Sequence, residues 1–450
     1  MDKTIKPISA RVVPRRARRL TQVLQHAGKF SLFALWTSFL RQSPSYWFAT
    51  LYLFVEYVRP QQIYTSLAVF PWGNFALGGA ALLTLLEGRL SFSETLIWVL
   101  VGAFTLIIFV STAAAGFPYA ALHGESGWSM WVSWLLAMSV IAGMSKNRPQ
   151  IILLFAFWIL WNLKMSQSGV RSWAAAGFAF QDWGMAGAPG WFTNSGEFGA
   201  EMVVFFPITL YFMIGLWPSL SRTKRLSLLA VAASAVLGMV GSASRGAVLG
   251  GVAIGLWILF ANPHRVRNLL LLGSLAVLGY LMLPQGSKDR WSTAGTDKTS
   301  TLRITYWKRG VQLTKENPVL GVGFQNWIPA YKARFQERGQ EPHNVFIKAS
   351  AELGVVGLVV FLGLIGATLH QNVMTRRHSN PKGPRPDRFA YFMAFGLDSA
   401  MIGYLAAGFF VTILYYPYFW VNLGFTLALW RYATSADSMR RNRAMTRRPA

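Results

Sequence analysis

The sequence predicts an all-α fold, a polytopic membrane protein of about twelve transmembrane helices. Three observations carry this. Hydrophobic residues make up 53% of the 450-residue chain, and only 13% of it is charged. Apolar runs of about 15 residues or more recur along the whole chain, each nearly long enough, as a helix, to cross a bilayer core. The cations are mostly divided among the short loops between those runs. The alternating segments of about 10 residues that mark a membrane β-barrel do not occur. Helices satisfy their own backbone groups in lipid, which is the requirement that decides the fold class.

The formal net charge of +26 does not point to nucleic acid, because loop cations in such a chain act as topology signals. There is no cysteine, hence no disulfide framework and no zinc–thiolate site. Residues 1–29 are basic and polar, without the apolar core and cleavage site of a removable signal peptide.

Taken in order, residues 1–44 read as a basic cytoplasmic tail. Arg11, Arg15, Arg16, Arg18 and Arg19 precede the apolar run Phe30–Leu40. That run is too short to span. It is either an interfacial helix with its arginines on anionic lipid, or part of a disordered tail that fixes orientation. The N-terminal bundle occupies 45–284. Its spans are Ser45–Val58, closed by Arg59-Pro60, then Ser66–Leu86 with a break at Pro71-Trp72-Gly73. Leu96–Ala115, Trp128–Met144, Ile151–Leu163, Gly196–Trp217, Leu226–Ala243, Gly246–Ala261 and Leu269–Pro284 follow. The C-terminal spans, within 345–432, are Val345–His370, Ala390–Phe410 and Tyr415–Tyr432, and 433–450 is a second basic tail.

Loop charge tests the order. With the N-terminus in the cytoplasm, the inner loops hold Arg89; Lys146 and Arg148; Arg222, Lys224 and Arg225; Arg265 and Arg267; and Arg376, Arg377, Lys382, Arg385 and Arg388. Every inner loop is basic, as the positive-inside rule requires, and both termini are cytoplasmic. The segment 285–344 then falls outside as one large loop. Ten basic residues against five acids give it a net charge of +5, which topology does not need, since loops of about 60 residues translocate largely regardless of charge. Within it two helices are expected, Leu302–Glu316 ending at Asn317-Pro318, and Asn326–Arg338 with Trp327, Tyr331 and Phe335 on one face. A second outer loop is Lys164–Ser195, and a third is the tight turn Ser242-Ala243-Ser244-Arg245-Gly246.

Of six histidines, only His123 and His343 map outside. His343 stands beside Asn344 at the bilayer surface, where an imidazole can take a proton from a hydroxyl. The plainer reading is a helix-start histidine bonded to backbone. Arg171, Arg245 and Arg303 are the arginines that the positive-inside rule leaves unexplained. Arginines at an apolar boundary are costly, and their planar fork matches phosphate. The plainer reading is pairing with acids: Glu197 or Glu201 for Arg171 or Arg245, and Glu316 for Arg303. Lys348 and Glu352, spaced i, i+4, read as a salt bridge. Paired carboxylates with metal-ligand spacing are missing from the outer segments, so no metal is expected and arginine would supply the charge stabilisation.

The run Arg303, Trp307, Asn317-Pro318-Val319-Leu320-Gly321-Val322-Gly323-Phe324, closing on Pro342-His343-Asn344-Val345-Phe346 and Glu352-Leu353-Gly354-Val355-Val356-Gly357-Leu358, resembles the C-terminal signature of the O-antigen ligase and polymerase superfamily. Ser242–Ala247 is similar to its Ser-Arg-Gly motif. Gly190–Glu197 and Arg59-Pro60-Gln61 resemble the branch of O-glycosylation ligases and exopolysaccharide-locus members. The resemblance covers about Trp191 to Ile365.

The resemblance implies a glycosyltransferase-C-like membrane fold with one large periplasmic helical loop, in the inner membrane of a bacterium. It implies inverting transfer of a glycan from undecaprenyl pyrophosphate to an acceptor hydroxyl, without a metal or other cofactor. The acceptor would be lipid A–core, a growing glycan (a Wzy-type polymerase), or a protein side chain (an O-oligosaccharyltransferase). His343 matches the family's general base and Arg245 its pyrophosphate-binding arginine. Arg171 and Arg303 match further family arginines. Beside the resemblance, Asn344 and Glu197 are expected as supporting residues. The rival from another class is a polysaccharide transporter or flippase, which would use mid-membrane ionisable groups, here Glu56 and Asp398, and two matching halves. No internal repeat is visible.

Overall fold

The computed structural model describes residues 31–90, 95–122, 127–178, 184–261 and 298–445. Among them every regular element is helical. The helices are α1 (Leu32–Leu40), α2 (Pro44–Val58), α3 (Trp72–Leu86), α4 (Leu96–Ala114), α5 (Trp128–Gly143), α6 (Arg148–Ala175) and α7 (Ser195–Leu216). They continue as α8 (Arg222–Gly241), α9 (Arg245–Ala261), α10 (Lys298–Glu316), α11 (Trp327–Phe335), α12 (Val345–His378), α13 (Arg388–Gly408) and α14 (Pro417–Met445). Among the described residues six helices are long and apolar enough to cross a membrane: α4, α6, α7, α8, α12 and α13. The helices α3, α5 and α9 are shorter and apolar. The expected span Leu269–Pro284, His123, and the segment 285–297 lie outside the described residues.

The helix starts follow from side chains already visible in the chain. Asn147, Asn194, Ser221, Asn344 and Asp387 each accept a hydrogen bond from a backbone N–H in the first turn of the helix that follows. Such caps satisfy donors that a helix leaves open. Pro44 opens α2, where the missing N–H costs nothing. The predicted break at Pro71 is the start of α3.

The expected limits need three corrections. α6 does not stop at Leu163 but runs to Ala175, so the loop placed at Lys164–Ser195 begins only after it. The buried stripe Asn162, Met165, Ser166, Gly169, Trp173 carries the helix on; Lys164, Gln167 and Ser168 on the exposed side hide that period in an apolarity count. α12 and α14 likewise continue past His370 and Tyr432, to His378 and Met445.

The most buried helix, α7, packs on α13, α8, α9 and α6. Backbones come close where α7, α9 and α13 cross. A Cβ on Gly403 would lie 2.6 Å from Val203 Cγ1 and 2.7 Å from Ile254 Cδ1, the small-residue packing that lets helices associate in lipid. The connecting segments gather at two opposite ends. At one, Arg431 Nη1 donates to Arg89 O (2.6 Å), Ser435 Oγ to Lys146 O (2.9 Å) and Arg388 Nε to Ile214 O (3.2 Å), and Arg148 pairs with Asp387. At the other lie α10, α11, the α8–α9 turn, the start of α7 and the α13–α14 loop. Glu56 and Asp398, the buried acids of the transporter reading, are paired with Arg59 and Arg376 respectively.

Candidate active site

The site is organised by a break in α12. Gly354 has φ 70° and ψ −176°, non-helical values inside a 34-residue helix. Only glycine occupies this region readily. The break redirects hydrogen bonds. Val355 N donates to Pro318 O (2.8 Å), and Ala351 O accepts from Val322 N (2.8 Å). Glu352 O accepts from Gly323 N (3.0 Å), and Ser111 Oγ on α4 bridges Leu320 O and Glu352 O at 2.7 and 2.8 Å. A Cβ on Gly354 would lie 2.1 Å from Val319 O, and one on Gly321 2.4 Å from Glu352 C. The Asn317–Phe324 turn and the Glu352-Leu353-Gly354 triplet therefore form one backbone clasp, which fixes the α10–α11 hairpin on the mouth of α12.

A charged cluster sits under the clasp. Glu352, fully buried, accepts from Trp327 N (3.1 Å) and from Tyr415 Oη (3.0 Å). Buried Lys348 lies 2.7 Å from Glu341 Oε2 and 3.6 Å from Glu352 Oε1. The expected Lys348–Glu352 pair is present, with Glu341 as its stronger member. A buried ion pair is tolerable only when its remaining donors and acceptors are met in this way.

His343 stands two residues before α12. Its φ of 50° lies in the left-handed region, an uncommon conformation for a residue with a side chain. Its backbone N–H donates to Thr412 Oγ1 (2.7 Å) in the α13–α14 loop. Pro342 O accepts from Trp307 Nε1 (2.9 Å), and the Trp307 ring meets Phe409 at 5.3 Å. Burial pushes the His343 imidazole down to about 4, with the Arg303 charge next in effect and Lys348 adding to it, while Glu341 opposes. The ring is neutral at pH 7 and can accept a proton. An anion seated against Arg303 would offset that arginine's charge and bring the imidazole nearer to its ordinary value, where general-base catalysis is more effective.

Arg245 opens α9 and donates from Nη1 to Ser300 Oγ (2.8 Å), one turn before Arg303 on α10. Arg245, Arg303 and His343 thus converge at one mouth. Arg171 does not join them: it is exposed on the last turns of α6 and makes no hydrogen bond or ion pair among the described residues. Two of the anticipated acid partners are otherwise engaged. Glu316 pairs with Arg334, and Glu197 Oε1 accepts from Tyr416 Oη (2.8 Å). Asn344 has a structural task. Its Oδ1 accepts from Phe346 N and Ile347 N at 2.9 and 3.0 Å, and its Nδ2 donates to Phe409 O at 3.3 Å.

The residues that sequence reasoning missed lie in 409–416. Thr412 reaches His343, Tyr415 reaches Glu352 and Tyr416 reaches Glu197. An uncharged turn of eight residues between two apolar runs carries no local signal of this.

Residues 228–362 match the family model of the O-antigen ligases. The matched stretch runs from α8 into α12 and contains Arg245, Arg303 and His343, but neither Arg171 nor Glu197. Among curated proteins the chain is similar to the exopolysaccharide production protein ExoQ of Rhizobium meliloti. The two are 26% identical over 208 residues, 42% of this chain. The match spans a little under half of that relative, 47% of its length. An all-helical, multi-pass architecture, the clasp and the matched stretch coincide, and over residues 228–362 the chain is similar to the O-antigen ligases.

Proposed function

We propose that the protein transfers a glycan from undecaprenyl pyrophosphate to an acceptor hydroxyl at the periplasmic face of a bacterial inner membrane, in the synthesis of a surface polysaccharide. The observation that carries the proposal is the convergence of His343, Arg245 and Arg303 at one end of the bundle, inside the stretch that matches the family. His343, neutral, takes the proton of the acceptor hydroxyl. The freed oxygen attacks the anomeric carbon as its bond to the pyrophosphate breaks, and a single displacement inverts that carbon. Arg245 and Arg303 stabilise the charge left on the pyrophosphate, as fixed donors do where charge develops. Neither step requires a metal.

The acceptor is lipid A–core in the ligase form of this reading. A second form, with the growing glycan as acceptor, is favoured by the similarity to an exopolysaccharide production protein; a protein hydroxyl is the third. Against a transporter, Arg245, Arg303 and His343 gather at one end of the bundle, whereas Glu56 and Asp398 are held by arginines.

The test uses a strain deleted for the gene and complemented with wild type, His343→Ala or Arg245→Ala at matched membrane levels, with surface glycans resolved by size. Wild type restores long glycan and both variants fail. Polymer left on the lipid carrier identifies a ligase, and single repeat units a polymerase. Full complementation by both variants would refute the proposal and favour transport.

A further inference from the structure

The α13–α14 loop is held against the mouth of α12 at two adjacent residues. His343 N–H donates to Thr412 Oγ1 at 2.7 Å, and Asn344 Nδ2 donates to Phe409 O at 3.3 Å. The second bond secures the helix cap. The first secures the residue before it, in a left-handed backbone conformation that is strained for a residue with a side chain. Such a conformation persists only when its surroundings determine it. Thr412 is 8% exposed, so its hydroxyl is shielded from water that would otherwise take the His343 N–H. A backbone amide left without a partner there would add to that strain. Without the threonine oxygen, residue 343 relaxes towards negative φ, and the imidazole swings away from Arg303.

We infer that Thr412 is a positioning residue of this enzyme: its hydroxyl holds the His343 backbone in the left-handed turn that aims the imidazole into the mouth shared with Arg245 and Arg303. The inference rests on the reading of His343 as the base and adds a residue that lies outside the family-matched stretch. Thr412 touches the backbone of His343 and not the reacting atoms, so its loss acts on turnover more than on donor binding. Misplacement of a reacting group by about 1 Å costs on the order of 100-fold in rate.

The test compares full-length wild type, Thr412→Val, Thr412→Ser and His343→Ala. Each is purified in detergent and assayed with lipid-pyrophosphate-linked glycan extracted from the deletion strain. Valine keeps the volume and removes the acceptor; serine keeps the acceptor. The expected result is a kcat about 10- to 100-fold lower for Thr412→Val, a KM for the lipid donor within about twofold of wild type, and recovery of most of kcat in Thr412→Ser. Thr412→Ala replaces the valine variant if that one does not accumulate. Wild-type kcat in the valine or alanine variant, alongside an inactive His343→Ala, would overturn the positioning role and leave the reaction standing. Equal losses in serine and valine would overturn it too, since they would reflect packing. An active His343→Ala would instead remove the reading on which the inference rests.

Discussion

Substitution of Gly354 by alanine is the sharpest test of the clasp. The residue sits at φ 70°, ψ −176°, a region essentially confined to glycine, and forcing another residue into it costs about 1–3 kcal/mol. The added Cβ would also meet Val319 O at 2.1 Å and Leu320 N at 2.7 Å. These are backbone atoms that cannot turn aside, so the turn must lift. Three backbone hydrogen bonds then go: Val355 N to Pro318 O, Val322 N to Ala351 O and Gly323 N to Glu352 O. Each contributes about 0.5–1.5 kcal/mol net. The sum is about 3–7 kcal/mol, falling on the α10–α11 hairpin and its attachment rather than on the α7–α13 core. Amide hydrogen exchange followed by mass spectrometry reads this directly. Peptides covering 318–323 and 351–356 are expected to exchange at least about 100-fold faster, because about 1.4 kcal/mol is a factor of ten. Peptides from α7 remain protected, and glycan transfer falls with the lost placement of His343. Unchanged protection at 318–323 in a folded Gly354→Ala protein would refute the clasp as the element that holds the hairpin.

Four further outcomes follow from the same contacts. Arg303→Ala removes the nearby positive charge from a His343 already pushed down to about 4. Its imidazole rises towards 6.5, so the acid limb of the kcat/KM profile of the free enzyme moves to higher pH; an unmoved limb would show that another group sets it. Glu352→Ala leaves Lys348 to Glu341 alone and frees the buried amide of Trp327 and hydroxyl of Tyr415. Each buried donor left unsatisfied costs about 1–3 kcal/mol, read as a lower unfolding temperature in detergent. Asp398→Ala strands Arg376 at the far end, with a stability loss of the same order; an intact KM for the lipid donor in the protein that survives would separate that pair from the reaction. Arg245→Lys keeps a charge and loses the planar fork, so the KM for the lipid donor is expected to rise about tenfold while the hairpin stays protected from exchange.

What the sequence disclosed was what local chemistry writes locally. Apolar runs bounded by Asn147, Asn194, Ser221 and Asp387 became helices with those residues as caps. Arg245, Arg303 and His343 stood out because loop charge did not account for them, and the structure brings these three to one mouth. Arg171 stood out for the same reason, yet lies exposed on an extension of α6 that a count of apolar residues ends too early. The clasp was legible only as a pair of separate motifs. Nothing in Asn317–Phe324 says that its N–H groups bond to carbonyls released at Gly354, since that pairing is a tertiary fact. Thr412, Tyr415 and Tyr416 were silent because a hydroxyl in an apolar turn acquires meaning only from what packs against it.

The central claim is that His343 serves as the base in a glycan transfer from a lipid pyrophosphate. Its most direct test is single-turnover transfer by purified protein, wild type against His343→Ala, with radiolabelled glycan on undecaprenyl pyrophosphate and the native acceptor. Wild type is expected to move label from the lipid to the acceptor and to release undecaprenyl pyrophosphate in equal amount. The alanine variant should bind the lipid donor with unchanged affinity and transfer at least about 100-fold more slowly. Transfer at the wild-type rate by His343→Ala, or no transfer by wild type while labelled lipid crosses a sealed vesicle, would contradict it.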